Sequence, residues 1–227
     1  MKNEEEKPDI CFREPHDGVP RPQPIDFVFN FFSRKKNGFF VDVGAHDGVT
    51  WSNSLALERQ LHWKGICIEP NPELFNLCDG IRTSINLNEC CSDEEKNEMF
   101  RIIEGEAACI GGIVGFFEED HKQRIEEEVE RYSVTYKDVA MPTRTLKSLI
   151  EELEITKIDY LSIDCEGAEA KILKGLDLSK HRPTLISVEN QENKNRKSDI
   201  EAKTLLLDFD YEEESRVCGD LFFSTTR

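Results

Sequence analysis

Short continuous apolar runs separated by amphipathic stretches recur along most of the chain. Gly38-Phe39-Phe40-Val41-Asp42-Val43 is a β-favouring run closed by Gly44, which predicts a strand buried on both faces. A helix is predicted over 52–61 and a second strand over 64–69. Asn71 as cap and Pro72 at the first helical position open a helix over 72–78, and a third strand is predicted over 85–90. This β-α-β-α-β order is that of an open parallel sheet with helices on its faces. The alternation resumes with a helix over 146–153, a strand over 158–163, a helix over 168–174 closed by Gly175 and a strand over 184–188. A helix over 198–207 follows, with Ser198 as cap and Glu201 completing a capping box. The tail predicts an antiparallel hairpin, 211–217 and 221–224, turned at Cys218-Gly219-Asp220.

The start and the middle break this rhythm. Residues 1–24 hold five of the nine prolines and read as an irregular lead-in, after which Asp26 is expected to cap a short apolar helix ending near Ser33. In the middle, 99–103 predicts a strand and 107–115 a glycine-bearing loop. Residues 118–130 set seven acids against two bases at helical spacing. They read as a solvated helix with a mobile attachment, for which Gly111-Gly112-Ile113-Val114-Gly115 supplies hinge freedom. The expected organisation is one domain over 25–227 with a lid-like insertion at about 104–133.

Composition narrows the partners. The 227 residues carry 46 acidic and 29 basic side chains, a net charge of −17, so phosphate-rich partners and anionic membranes would be repelled. At 38% hydrophobic, with 14 Phe, the chain has material for a core despite its 33% charged residues. No apolar run approaches the ~18 residues of a membrane span, and the acidic, polar start from Met1 to Ile10 lacks a secretory pattern. Eight cysteines occur without a C-x-x-C pair, which argues for reduced thiols in a cytoplasmic setting rather than zinc or a disulfide framework.

In an open α/β sheet, ligands bind beyond the carboxyl ends of the strands. After the first strand, the turn Gly44-Ala45-His46-Asp47 lets a ligand approach bare backbone, and the helix start at Ser52 and Asn53 offers N–H groups to a carboxylate or phosphate. The spacing is not G-x-G-x-x-G, which disfavours a dinucleotide. After the second strand stands Glu69, able to accept both hydroxyls of a ribose, followed by Pro70 and Asn71. Cys91, Ser92 and Asp93 follow the third strand, where they could border an adenine. Asp164 with Glu166, and Glu189 with Asn190, close the fourth and fifth strands. Carboxylates converging on one sheet edge are candidates for binding a cation, holding a positive substrate or sharing a proton.

Three segments in this order resemble the FkbM family of S-adenosylmethionine-dependent methyltransferases. They are Phe40-Val41-Asp42-Val43-Gly44-Ala45-His46-Asp47-Gly48-Val49-Thr50, then Trp63-Lys64-Gly65 with Ile68-Glu69-Pro70-Asn71-Pro72, then Ile158 to Glu169 with Leu173-Lys174-Gly175. The resemblance runs from about Asp26 to Phe223. It implies a Rossmann-like class I α/β fold, with a seven-stranded, mostly parallel sheet and an antiparallel last strand. It also implies that the Gly44 turn, supported by Asp42 and His46, faces the methionine part of the cofactor. Glu69 would hold the ribose, Cys91-Ser92-Asp93 would border adenine, and Asp164 and Glu166 would lie near the sulfonium. His46 stands where many members have Asn, and Ser162 where many have Lys, which leaves one cation fewer at the acceptor side.

The chemistry so implied is attack by a hydroxyl oxygen of a sugar, glycan or related small molecule on the cofactor's methyl group. An alcohol needs its proton accepted or its pKa lowered by a metal. Asp164, Glu189 and Asn190 offer oxygen ligands for Mg²⁺ or Mn²⁺; the competing version has Asp164, Glu189 or His181 as a simple general base. A homodimer is left open. Two alternatives remain, a nicotinamide-dependent sugar oxidoreductase or epimerase and a non-catalytic binding module of the same fold.

Overall fold

The computed structural model describes residues 23–190 and 196–225; the proline-rich stretch 1–22 and Cys11 lie outside them. Helix α1 (Pro24–Phe31) starts earlier than expected. Its cap is Gln23, and Asp26 sits inside the first turn, where its carboxylate accepts the Gln23 N–H at 3.0 Å. Pro24 fits the first helical position because the N–H it lacks would have no partner there.

In chain order there follow β1 (Phe39–Val43), α2 (Leu55–Leu61), β2 (Lys64–Ile68), α3 (Pro72–Ile81) and β3 (Ile85–Leu87). The middle holds β4 (Cys90–Cys91), β5 (Asn97–Ile103), β6 (Gly112–Ile113), α4 (Glu119–Tyr132) and β7 (Tyr136–Arg144). The last part holds α5 (Leu146–Glu152), β8 (Tyr160–Ile163), α6 (Glu169–Lys174), β9 (Leu185–Glu189), α7 (Lys197–Asp208), β10 (Tyr211–Val217) and β11 (Asp220–Thr225).

Seven strands form one sheet in the order β10-β11-β9-β8-β1-β2-β3. The pairs among β9, β8, β1, β2 and β3 are parallel, while β11 runs antiparallel to both β9 and β10. Side-chain alternation divides the core. Val41, Val43, Ile66, Ile68, Leu161 and Ile163 pack against α5, α6 and α7 on one face, and Phe40, Cys67 and Tyr160 pack against α1, α2 and α3 on the other. Burial on both faces is why these strands read as continuous apolar runs. The order reverses between β1 and β8, which opens a crevice at their carboxyl ends.

The middle forms a second sheet, β4-β7-β5-β6. Strand β7 has no counterpart in the sequence reading, because most of its residues are exposed and Pro142 interrupts it. The strand expected over 85–90 divides: Ile85–Leu87 stays in the main sheet, and Cys90–Cys91 pairs with Thr143 and Arg144 of β7. The expected glycine loop is two short 3-10 turns bracketing β6. Ser198 does not cap α7. Arg196 does, and the Ser198 N–H instead donates to Glu118 at 3.1 Å.

Candidate functional site

A cavity of about 410 Å³ opens at the carboxyl ends of β1, β2 and β8. Its floor is the turn after β1, in which Gly44 has φ +85° and His46 φ +53°. A Cβ on Gly44 would lie 1.9 Å from the Asp164 carbonyl oxygen, so only glycine lets the ends of β1 and β8 approach this closely. Asp42 is buried beneath the turn and hydrogen-bonds Ser54. Burial raises its carboxyl above the usual range, with Arg82 and Ser54 opposing. Arg82, buried at the end of α3, donates to Glu58, to the Gly48 carbonyl and to Ser54 at 2.9, 3.1 and 2.9 Å. Sequence reading missed it, since nothing local marks one arginine after a helix as the prop of a distant loop.

Of the residues expected around the cofactor on this side, Asp42, Gly44, Ala45, His46, Ser52 and Asn53 line the cavity. Asp47 does not. Its carboxylate accepts the N–H groups of Val49 and Thr50 and the Thr50 hydroxyl, at 2.7 to 2.9 Å; burial opposes its charge, but the adjacent His46 ring together with those bonds holds it far below its ordinary pKa. Its work is to close the turn. The amino end of α2 is likewise not open to an anion, because Ser52 Oγ already accepts from Ser54 and Leu55 at 3.3 and 3.1 Å. Asn53 Nδ2 donates across to Ser162 Oγ on β8 at 3.2 Å.

At the end of β2, Glu69 is buried yet borders the cavity beside Pro70 and Asn71. Its two oxygens accept the N–H groups of Asn71 and His46, each at 2.9 Å. Burial nevertheless pushes its carboxyl up to about 7. Each oxygen retains a lone pair for a further donor. Of the three residues expected around adenine, only Cys91 reaches the cavity. Ser92 is fully buried, its carbonyl packed against Gly175, and Asp93 pairs with Lys171 at 2.8 Å. Glu89, Cys90 and Leu74 stand on that side instead.

The far end carries Asp164, Glu166 and Glu189. Glu169 builds this corner, since its carboxylate accepts the N–H groups of Cys165 and Gly167 at 2.9 and 3.0 Å and so shapes the loop that presents Asp164 and Glu166. Glu166 faces Arg124 of α4 at 3.0 Å and His121 at 3.1 Å. Burial works against its charge, but the His121 hydrogen bond and the Arg124 guanidinium hold its carboxyl below the ordinary range. Arg124 also borders the cavity, a cation at this end that the sequence reading did not find. The acidic helix is thus docked. His121 and Ile125 are buried, Asp120 pairs with Arg196 at 2.9 Å, and only the opposite face is solvated. The stripe His121, Ile125, Val129 at steps of four was the signal available.

Two expected residues lie elsewhere. His181 comes before β9 and so at the edge of the sheet opposite the cavity, with Nε2 3.9 Å from Glu151; it is out of reach as a base. Asn190 does not line the cavity, and its Oδ1 accepts from Arg216 at 2.6 Å. Among the described residues no three His, Cys, Asp or Glu side chains stand close enough to hold a metal ion. Asn190, turned to Arg216 and outside the cavity lining, does not join Asp164 and Glu189 as the expected third oxygen ligand.

Residues 42–213 match the family profile described as methyltransferase FkbM domain. No curated protein matches the chain. A solved FkbM methyltransferase from Methylobacillus flagellatus KT is similar at TM-score 0.50 and 14% identity, over 84% of this chain and 44% of that one, so the chain spans less than half of that protein. An RNA methyltransferase from Salinibacter ruber in complex with S-adenosyl-L-homocysteine overlays at TM-score 0.42 and 12% identity, covering 92% and 93% of the two chains. A precorrin-6y C5,15-methyltransferase from Geobacter metallireducens GS-15 overlays at 0.46 and 10%, covering 93% and 91%. With the motifs in place at the ends of β1, β2 and β8 and the profile matched over most of its length, the chain belongs to the FkbM family of S-adenosylmethionine-dependent methyltransferases.

Proposed function

We propose that the protein methylates a hydroxyl oxygen of a sugar, glycan or related small molecule. The observation that carries this reading is one cavity with Glu69 on one wall and Asp164 with Glu189 on another. Bound S-adenosylmethionine supplies an electrophilic methyl group on a cationic sulfur. Glu69 accepts the two ribose hydroxyls, and the turn from Gly44 to His46 bounds the methionine part. Acidic side chains outnumber basic ones in the cavity wall, which suits a positively charged donor. Asp164 would accept the acceptor's proton as the oxygen–methyl bond forms and the methyl–sulfur bond breaks to leave S-adenosylhomocysteine, with Glu189 orienting the hydroxyl. Arg124 and His121 hold Glu166 ionised and in place next to them.

The seven described cysteines are free thiols, which supports a reducing, cytoplasm-like setting; among the described residues no helix is long and apolar enough to cross a membrane. The test is transfer of labelled methyl from the cofactor to a panel of glycosides, polyols and phenols, followed by mass spectrometry of the products. A product methylated on oxygen is expected; methyl found only on nitrogen or carbon acceptors would refute the reading.

A further inference from the structure

Trp51 stands in the cavity wall and has no part in the chemistry above. It is 46% exposed, and its backbone sits in the left-handed region at φ +54°, where a bulky side chain is rare. Among the described residues, no ring, cation or hydrogen-bond acceptor engages its indole. Nearly half of the residue is open to solvent at the cavity wall.

Its position is fixed by a neighbour. Asn53, two residues on, donates to Ser162 of β8 at 3.2 Å, which ties this segment to β8. Asp164 follows β8, and Glu189 ends β9. An indole face is a broad apolar plate with an electron-rich surface. One face of a pyranose presents C–H bonds polarised by the ring oxygens, and its rim presents hydroxyl donors. A plate and two carboxylates lining one cavity are complementary to that ligand, one element to the ring face and the other to the rim.

We propose that Trp51 is an acceptor-binding residue whose indole stacks on the C–H face of a pyranose and turns a ring hydroxyl toward Asp164. This rests on the hydroxyl-acceptor reading above and narrows it to cyclic sugars.

The chain contains two tryptophans, and Trp63 is buried with its indole N–H on the Lys35 carbonyl, so solvent-exposed emission reports Trp51. The experiment compares wild type, Trp51→Ala and Trp51→Phe with methyl α-mannopyranoside, methyl β-glucopyranoside and methyl β-galactopyranoside, and titrates S-adenosylhomocysteine separately. Trp51→Ala is expected to raise the KM of the methylated glycoside at least about tenfold, Trp51→Phe to restore most of it, and S-adenosylhomocysteine affinity to stay within about twofold. Glycoside added to the wild type with S-adenosylhomocysteine should shift the emission to shorter wavelength. An unchanged KM overturns the proposal, and so does a parallel loss of cofactor affinity, which would assign the indole to the donor. Should the wild type methylate none of the glycosides, the reaction reading fails, and the emission titration decides alone. A shift then keeps Trp51 as a sugar contact, and no shift removes it.

Discussion

Glu69, proposed to hold the ribose, is a carboxylate whose burial works against its own ionisation. Its pKa of about 7 comes from burial, and the ribose hydroxyls need the ionised form as acceptor. Below pH 7 the carboxyl is increasingly neutral, so cofactor affinity must fall with acidity. Titration calorimetry should find S-adenosylhomocysteine binding roughly ten-fold weaker at pH 6 than at pH 8. A Glu69→Gln variant should bind weakly at both, with the pH dependence gone; a retained slope would place the titrating group elsewhere. Asp164 is the base in the proposed reaction. Asp164→Asn keeps the shape but cannot accept a proton, and kcat should drop by about 10²-fold or more with cofactor affinity little changed. These two acids were legible from the sequence because each directly follows a buried strand. Asp93, Asn190 and His181 look equally suitable in one dimension. Only the fold reveals that Lys171 and Arg216 engage the first two and that the third faces the opposite edge.

Among elements, α4 departs furthest from its sequence. Seven acids over 118–130 suggested a helix surrounded by water, whereas Glu118, Asp120 and Arg124 each reach a partner far along the chain: Ser198, Arg196 and Glu166. Such pairings have no local signature, and β7 is nearly as hard to read, since most of its residues are exposed and Pro142 falls within it. Strands buried on both faces, by contrast, announce themselves, as β1, β2, β8 and β9 did. Arg124→Met should free α4 from the cavity edge while leaving Glu166 with His121 alone. Amide hydrogen exchange over 119–132 is expected to speed up about tenfold, and the melting temperature to fall by a few degrees, equivalent to about 1–3 kcal/mol. Unchanged exchange in α4 would show that the apolar contacts of Ile125 suffice to dock it.

At the scale of the molecule, a mostly parallel sheet was readable in outline, because β-α alternation and a terminal hairpin leave few topologies. The charge was readable outright. With 46 acids against 29 bases, self-repulsion opposes the folded state, and mobile ions should relieve it. Raising NaCl from 10 mM to 0.2 M at pH 8 is expected to lift the melting temperature by about 2–5 °C; a decrease would mean that screened surface pairs such as Lys203–Glu213 outweigh the repulsion. One further consequence belongs to the contact of Gly44 with the Asp164 carbonyl. The donor's cradle and the base are set by two backbones in van der Waals contact, so their separation is a dimension of the sheet rather than of any adjustable rotamer. A single methyl group at that seam would act as a shim, widening the gap the transferred carbon must cross. The enzyme could then fill its cofactor site and still turn over slowly.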